Sequence, residues 1–182
     1  MDPININNAS AEELLNAHAH LWNHMYSYLN SMALRCAIQL GISDAIHKQG
    51  KAMTLSELAI ALSIPPNKAP CISRIMRLLF HSNFFSKRTS SSGEEAFDLT
   101  IHSQLLLKDH PLSVAPFALL ALDPIVIEPT FHFGSWSQNE EEYKLESPFQ
   151  MTHKRSVWEY AKLNLSLTSY SMKPWQVMLN LL

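Results

Sequence analysis

The stretch Thr54–Arg88, TLSELAIALSIPPNKAPCISRIMRLLFHSNFFSKR, decides the fold. Thr54 and Glu57 form a capping box, in which side chain and backbone satisfy each other's orphan donors at a helix start. Leu55, Leu58, Ala59 and Leu62 then give a short helix one apolar face. Pro65-Pro66 ends it, because proline has no N–H to donate and clashes with the preceding turn. From about Asn67 a second helix is predicted, with Ile72, Ile75, Met76, Leu79 and Phe80 at the spacing of one buried stripe. Asn83 suits the turn that follows. Phe84 to Arg88 and Ala96 to Thr100 alternate like two strands, joined by the loop Ser90-Ser91-Ser92-Gly93.

Two helices running into a two-stranded hairpin make a winged-helix-like pattern. The fold class expected is therefore mainly α, a winged-helix-like domain with a small β-hairpin and helices leading into it. The chain has 182 residues, 47% of them hydrophobic, enough for one sizeable core and too apolar for disorder. Its formal net charge of −2 exerts no global pull toward nucleic acid or anionic lipid. Cys36 and Cys71 both fall in helical apolar patterns and are expected as buried free thiols. The start, MDPININNASAEE, has neither a basic segment nor an apolar core of the kind a secretory leader needs. No run approaches the roughly 18 apolar residues of a membrane span. Together these features predict a cytoplasmic chain with no membrane partner.

Upstream, residues Met1 to Ala9 are polar, and a frayed end is expected there. Ser10 and Glu13 repeat the capping box, and neither Gly nor Pro occurs again until Gly41. A long helix is predicted, breaking at Asn30-Ser31. Leu14, Leu21, Met25, Tyr28, Met32 and Cys36 form one stripe, while Leu15, Trp22, Leu29 and Leu40 fill a second face. A helix apolar over so much of its circumference needs protein on two sides, which implies a partner subunit. Ile42 to Lys48 follows as a further short helix, ended by Gln49-Gly50.

Downstream, Thr100 to Leu107 and Ser113 to Leu122 read as helices, and Asp123-Pro124 breaks the second. Phe131, Phe133 and Trp136 are an aromatic cluster of the kind that more often fills a core than a pocket. Gln138 to Lys144 is an acidic exposed loop. A last helix is predicted over Thr152 to Leu163, with Val157, Trp158 and Ala161 on its inner side.

Much familiar chemistry is missing. The four glycines, at 41, 50, 93 and 134, are too scattered for a phosphate-cradling loop. No serine elbow or Cys/His nucleophile pair is spelled out, so no catalytic residue is assigned. His18, His20 and His24 invite a metal reading. They lack a third ligand in register, and solvated or packed histidines explain them. Lys68, Arg74, Arg77, Lys87 and Arg88 against Glu57 leave Thr54–Arg88 at +4, compatible with phosphate contacts. The loop SSSGEE is negative where a DNA binder places cations, so nucleic acid is the weaker reading.

The order of pieces is itself informative. The segments SMALRCAIQLGISDAIHKQG, TLSELAIAL, ISRIMRLLFHSNFF, FDLT, LDP and SPFQMTHKRSVWEYA, in that sequence, resemble the plant small-molecule O-methyltransferases, above all those acting on isoflavonoids and phenylpropanoids. The resemblance covers about residues 10 to 163. It implies a dimerisation and winged-helix-like domain over 10–110, followed by helices over 111–163 that line a phenol pocket. It also implies methyl transfer from S-adenosylmethionine to a phenolic hydroxyl in the full-length family. The donor-binding domain of that family is not among these residues, so no cofactor and no activity are expected of this chain alone. The partners implied are a second copy, or a full-length relative that the chain would regulate. By the same resemblance Met32 reaches into a partner's substrate pocket, Leu120 and Ala121 match pocket-lining positions, and Phe117 and Val126 lie nearby.

After WEYAKLN the likeness stops, and residues 164–182 read as an aberrant tail. Read in another frame, the codons permitted for Tyr170 to Leu179 spell FNEAMASDA, the helix the family carries at that point. Out-of-frame coding through a base change, an altered splice or a gene-model error is the hypothesis. Transcript sequence across codons 163 to 165 tests it, and a transcript with no frame encoding that helix would refute it.

Overall fold

A computed structural model describes residues 6–90, 93–138 and 147–163. Among them the fold is mainly α with one small antiparallel sheet. A 3-10 turn, Ile6–Asn8, precedes α1 (Ala11–Tyr26), α2 (Tyr28–Leu40) and α3 (Ile42–Gln49). Ser10 starts α1 with the expected capping box, its hydroxyl accepting from the Glu13 amide at 3.2 Å. The break between α1 and α2 comes at Ser27, three residues before the predicted Asn30-Ser31. The Ser27 hydroxyl donates to the His24 carbonyl at 2.8 Å, and the Ser27 amide reaches that same carbonyl at 3.4 Å. A side chain that competes for the carbonyls of the preceding turn tightens and ends the ladder there. Gly41 then turns the chain into α3 at φ 72°, a left-handed conformation that only glycine adopts without strain.

The deciding stretch folds as read. It supplies α4 (Leu55–Ala61) and α5 (Ala69–His81), with a single 3-10 turn at Pro66–Lys68 between them. Asn83 turns the chain at φ 60° into β2 (Phe85–Thr89), which pairs antiparallel with β3 (Glu95–Leu99). The sheet has a third strand that the pattern did not announce. Met53–Thr54, β1, pairs with Phe97 and Ala96 of β3, giving the order β1-β3-β2. Two residues are too few to show an alternation. Thr54 can serve both elements because a helix N-cap is itself extended, here φ −70° and ψ 163°.

Ile72, Met76 and Leu79 of α5 meet Ala33 and Ala37 of α2, Leu58 of α4, and Phe85 and Phe97 of the sheet in one buried cluster. Thr54 is buried beside it, and its hydroxyl accepts from the Glu57 amide at 3.2 Å. Thr54→Ala removes that cap and is expected to cost about 1 kcal/mol, read as a lower midpoint in urea unfolding.

Beyond the sheet the helices are shorter than predicted. α6 (Ile101–Gln104) ends early, because Leu106 and Leu107 turn inward and are buried. Next come α7 (Ala115–Ala121), α8 (Pro124–Ile127), a 3-10 stretch Glu128–His132 and α9 (Phe133–Gln138). Ile38 of α2, Leu106 and Ala115 form a second buried cluster that seats α7 on α2. The predicted last helix is two, α10 (Pro148–His153) and α11 (Val157–Leu163). Lys154 stops the first at φ 57°, and Ser156 with Glu159 starts the second as a new capping box. Val157 and Trp158 are exposed rather than inward, Trp158 at 78%. The Ala161 side chain, part of the Gln138–Lys144 loop, and the tail 164–182 lie outside the described residues.

Candidate functional site

Two features of this scaffold leave large apolar side chains open to solvent. The first is α1. None of its residues is buried, although Leu15, Leu21, Trp22, Met25 and Tyr26 are large and apolar, and the face continues into Tyr28 and Leu29 of α2. Trp22 and Tyr26, one turn apart, stack with ring centroids 5.6 Å apart and planes 11° from parallel. Fully burying a side chain of this size stabilises by about 1.5–3 kcal/mol, so a face with this many unburied ones is strongly biased toward association.

The second is a groove of about 240 Å³ between α2 and the chain just beyond α7. Met32 and Arg35 of α2 form one wall, and Leu122, Pro124, Ile127, Glu128 and Phe131 form the other. Apart from Arg35 and Glu128 the lining is apolar. Phe131 is 80% exposed and Phe133 59%, so the aromatic cluster expected as core is open to solvent, with Trp136 half-buried. Of the five residues assigned to a pocket by resemblance, only Met32 lines the groove. Leu120 is half-buried on α7, Phe117 and Ala121 are exposed on that helix, and Val126 is exposed on α8. Arg35, Leu122 and Phe131 were missed. Arg35 carried the one available signal, since it lies three residues after Met32 and so on the same helical face.

Asp123 organises the groove's rim. One carboxylate oxygen accepts from the Ile125 amide at 3.1 Å, capping α8, and the other accepts from Arg35 Nη2 at 3.4 Å. Arg35 Nε is buried with no hydrogen-bond partner among the described residues.

Charge elsewhere is local. Lys87 pairs with Glu95 at 2.8 Å and lies 4.5 Å from the centre of the Phe80 ring, while Arg88 pairs with Asp98 at 2.6 Å. Both cations of the hairpin are thus held by carboxylates on the neighbouring strand. Arg74 and Arg77 are exposed on α5. Cys71 is exposed on α5, contrary to expectation, because it falls just off the Ile72–Met76–Leu79 stripe. Cys36 is half-buried, and desolvation pushes its thiol up. His18, His20 and His24 are exposed on α1, and no cluster of three or more ligating side chains able to hold a metal occurs among the described residues.

Glu13, Glu57 and Glu159 share one environment. Each accepts the amide of its N-cap residue, Ser10, Thr54 or Ser156, and that backbone hydrogen bond holds the carboxyl below its usual value of 4.5. A lowered folded-state value contributes stability above the unfolded value, and that contribution is lost as pH falls through the folded one. The thermal midpoint is therefore expected to drop as pH falls from about 5 toward 3, and Glu57→Gln to flatten that drop. An unchanged pH profile in Glu57→Gln would count against this assignment.

The model of the O-methyltransferase dimerisation domain matches residues 22–109. Residues 22–109 thus form an O-methyltransferase dimerisation domain, and the relatives that share this stretch are plant O-methyltransferases. It is 44% identical over 157 residues to trans-resveratrol di-O-methyltransferase of Vitis vinifera, covering 85% of this chain and 43% of the relative. Against 8-hydroxyquercetin 8-O-methyltransferase of Mentha piperita it is 48% identical over 153 residues, covering 79% of this chain and 42% of the relative. The chain spans less than half the length of these relatives. In fold it resembles the structure of mitomycin 7-O-methyltransferase, with a TM-score of 0.71 at 17% identity, covering 93% of this chain and 46% of that one. No single helix among the described residues is long and apolar enough to cross a membrane.

Proposed function

We propose that this chain is the subunit-pairing portion of a cytoplasmic plant O-methyltransferase that methylates phenolic hydroxyls with S-adenosylmethionine. One observation carries this reading: α1 leaves its whole apolar face unburied. Under the proposal a second copy covers that face, and Met32 forms part of a phenol-binding wall. The relatives' names, with resveratrol and 8-hydroxyquercetin as acceptors, support a polyphenol as the substrate class. The layout proposed is a pairing and winged-helix-like domain over 10–110 and pocket-wall helices over 111–163.

These 182 residues contain no glycine-rich loop to hold a methyl donor. By itself the chain is expected to dimerise, to bind no S-adenosylmethionine and to methylate nothing. Sedimentation equilibrium reads the first expectation and calorimetric titration with S-adenosylmethionine the second. A monomer at tens of micromolar would overturn the pairing role, and methylation of resveratrol by the purified chain would overturn the inactivity.

A regulatory role follows from the same face. A pairing domain this similar to those of full-length relatives can pair with one of them, and co-expression with such a relative tests for a heterodimer of altered rate. DNA binding has less support, because the two cations of the hairpin are already occupied by Glu95 and Asp98.

A further inference from the structure

Met32 and its groove lie on a seam. On one side is α2, inside the matched dimerisation domain, and on the other is the chain beyond it, from Leu122 to Phe131. Apolar packing through Ile38, Leu106 and Ala115 holds the seam together from behind. Among the described residues, one ion pair crosses it, Arg35 to Asp123. Both partners sit where they can govern the groove. Arg35 follows Met32 by three residues on the same face of α2, so anything that fixes Arg35 fixes the approach of Met32. Asp123 is the N-cap of α8, so anything that fixes Asp123 fixes the first turn carrying Pro124 and Ile127.

The chemistry of the pair suits positioning better than stability. At 3.4 Å and with both side chains partly open to solvent, the contact is a loose one, and such pairs contribute little to folding free energy. Burying Arg35 Nε without a partner opposes folding, so a well-packed apolar side chain would serve stability better. What the pair supplies is direction. A guanidinium tethered at one end to a carboxylate that is itself held by a backbone amide is biased toward that side of the groove.

We propose that the Arg35–Asp123 pair is a positioning latch that sets the separation of Met32 from α8, and with it the opening of the groove. This rests on reading the groove as a pocket wall only for its use, since the latch itself concerns the geometry of one chain.

The test uses the full chain labelled with [13C-methyl]methionine. Its eight methionines are few enough to resolve, and Met32→Leu assigns the signal of interest. Accessibility of the Met32 methyl is read from its relaxation by a soluble nitroxide. Met53 and Met76, 3% and 0% exposed in the core, report whether the fold is intact. In Arg35→Met and in Asp123→Asn the Met32 relaxation is expected to change by two-fold or more, with Met53 and Met76 unmoved. The double variant is expected to match either single one. A Met32 signal unaltered in both single variants, or two effects that simply add, would overturn the latch. Should Arg35→Met disturb Met76, Asp123→Asn carries the comparison, because asparagine keeps a carbonyl oxygen for the α8 cap. A chain that proves monomeric sinks the proposed function and leaves this reading to be decided by the Met32 methyl.

Discussion

Trp22→Glu combined with Met25→Glu is expected to convert the chain from dimer to monomer. Both side chains are more than half exposed in the single chain, on a helix that buries nothing within its own subunit. Aromatic and methionine side chains at the centre of an interface are the ones whose removal costs most, about 2 kcal/mol or more each. Glutamate adds the penalty of taking a charge out of water. Two such losses weaken association by about a thousand-fold or more, since each 1.4 kcal/mol is tenfold. Because neither residue contributes to the core of its own chain, circular dichroism and the thermal midpoint extrapolated to low concentration should stay near the parent's. A double variant that still sediments as a dimer would place the pairing face elsewhere.

Phe85→Ala is expected to weaken the fold severely rather than the pairing. Phe85 opens β2, is 1% exposed, and packs in the cluster shared by α2, α4, α5 and the sheet. Truncating a fully buried phenylalanine costs about 3–5 kcal/mol, combining lost transfer free energy with the void left behind. Domains of this size hold only about 5–15 kcal/mol in total. The variant should therefore unfold at a few molar lower urea or fail to accumulate in soluble form. The two variants divide the apolar residues into those that hold the subunit and those that wait for a partner.

That division was legible in the sequence for one half of the chain and not for the other. From Ser10 to Leu99 the elements follow periodic patterns with chemical punctuation: capping boxes at Ser10 and Thr54, Pro65-Pro66 between helices, and Asn83 before the strand. Each signal is local and strong, so the structure repeats it. β1 escaped because its two residues were already assigned to a helix start, and the Ser27 break because a hydroxyl inside a helical run leaves no mark in an apolar pattern. Beyond Thr100 the helices are single turns or two, and their positions depend on what packs against them. Leu106 and Leu107 read as helix and are pulled inward. Phe131 and Trp158 read as core and stand open. The capping box of Ser156 with Glu159 is spelled in the sequence but sits inside a longer apolar run that masks it. At the groove, Met32 was reachable through resemblance, whereas Arg35 and Asp123 are 88 residues apart and nothing local ties them.

Thr54 belongs to two elements at once, its backbone pairing with Ala96 of β3 while its hydroxyl holds the first turn of α4. Neither the helical pair nor the sheet can fray at that point without loosening the other. The result is a single cooperative unit of melting: slow amide exchange in α4 and in β3 should share one opening event, and a subunit that exposes so much apolar surface is spared a half-open state in which to aggregate.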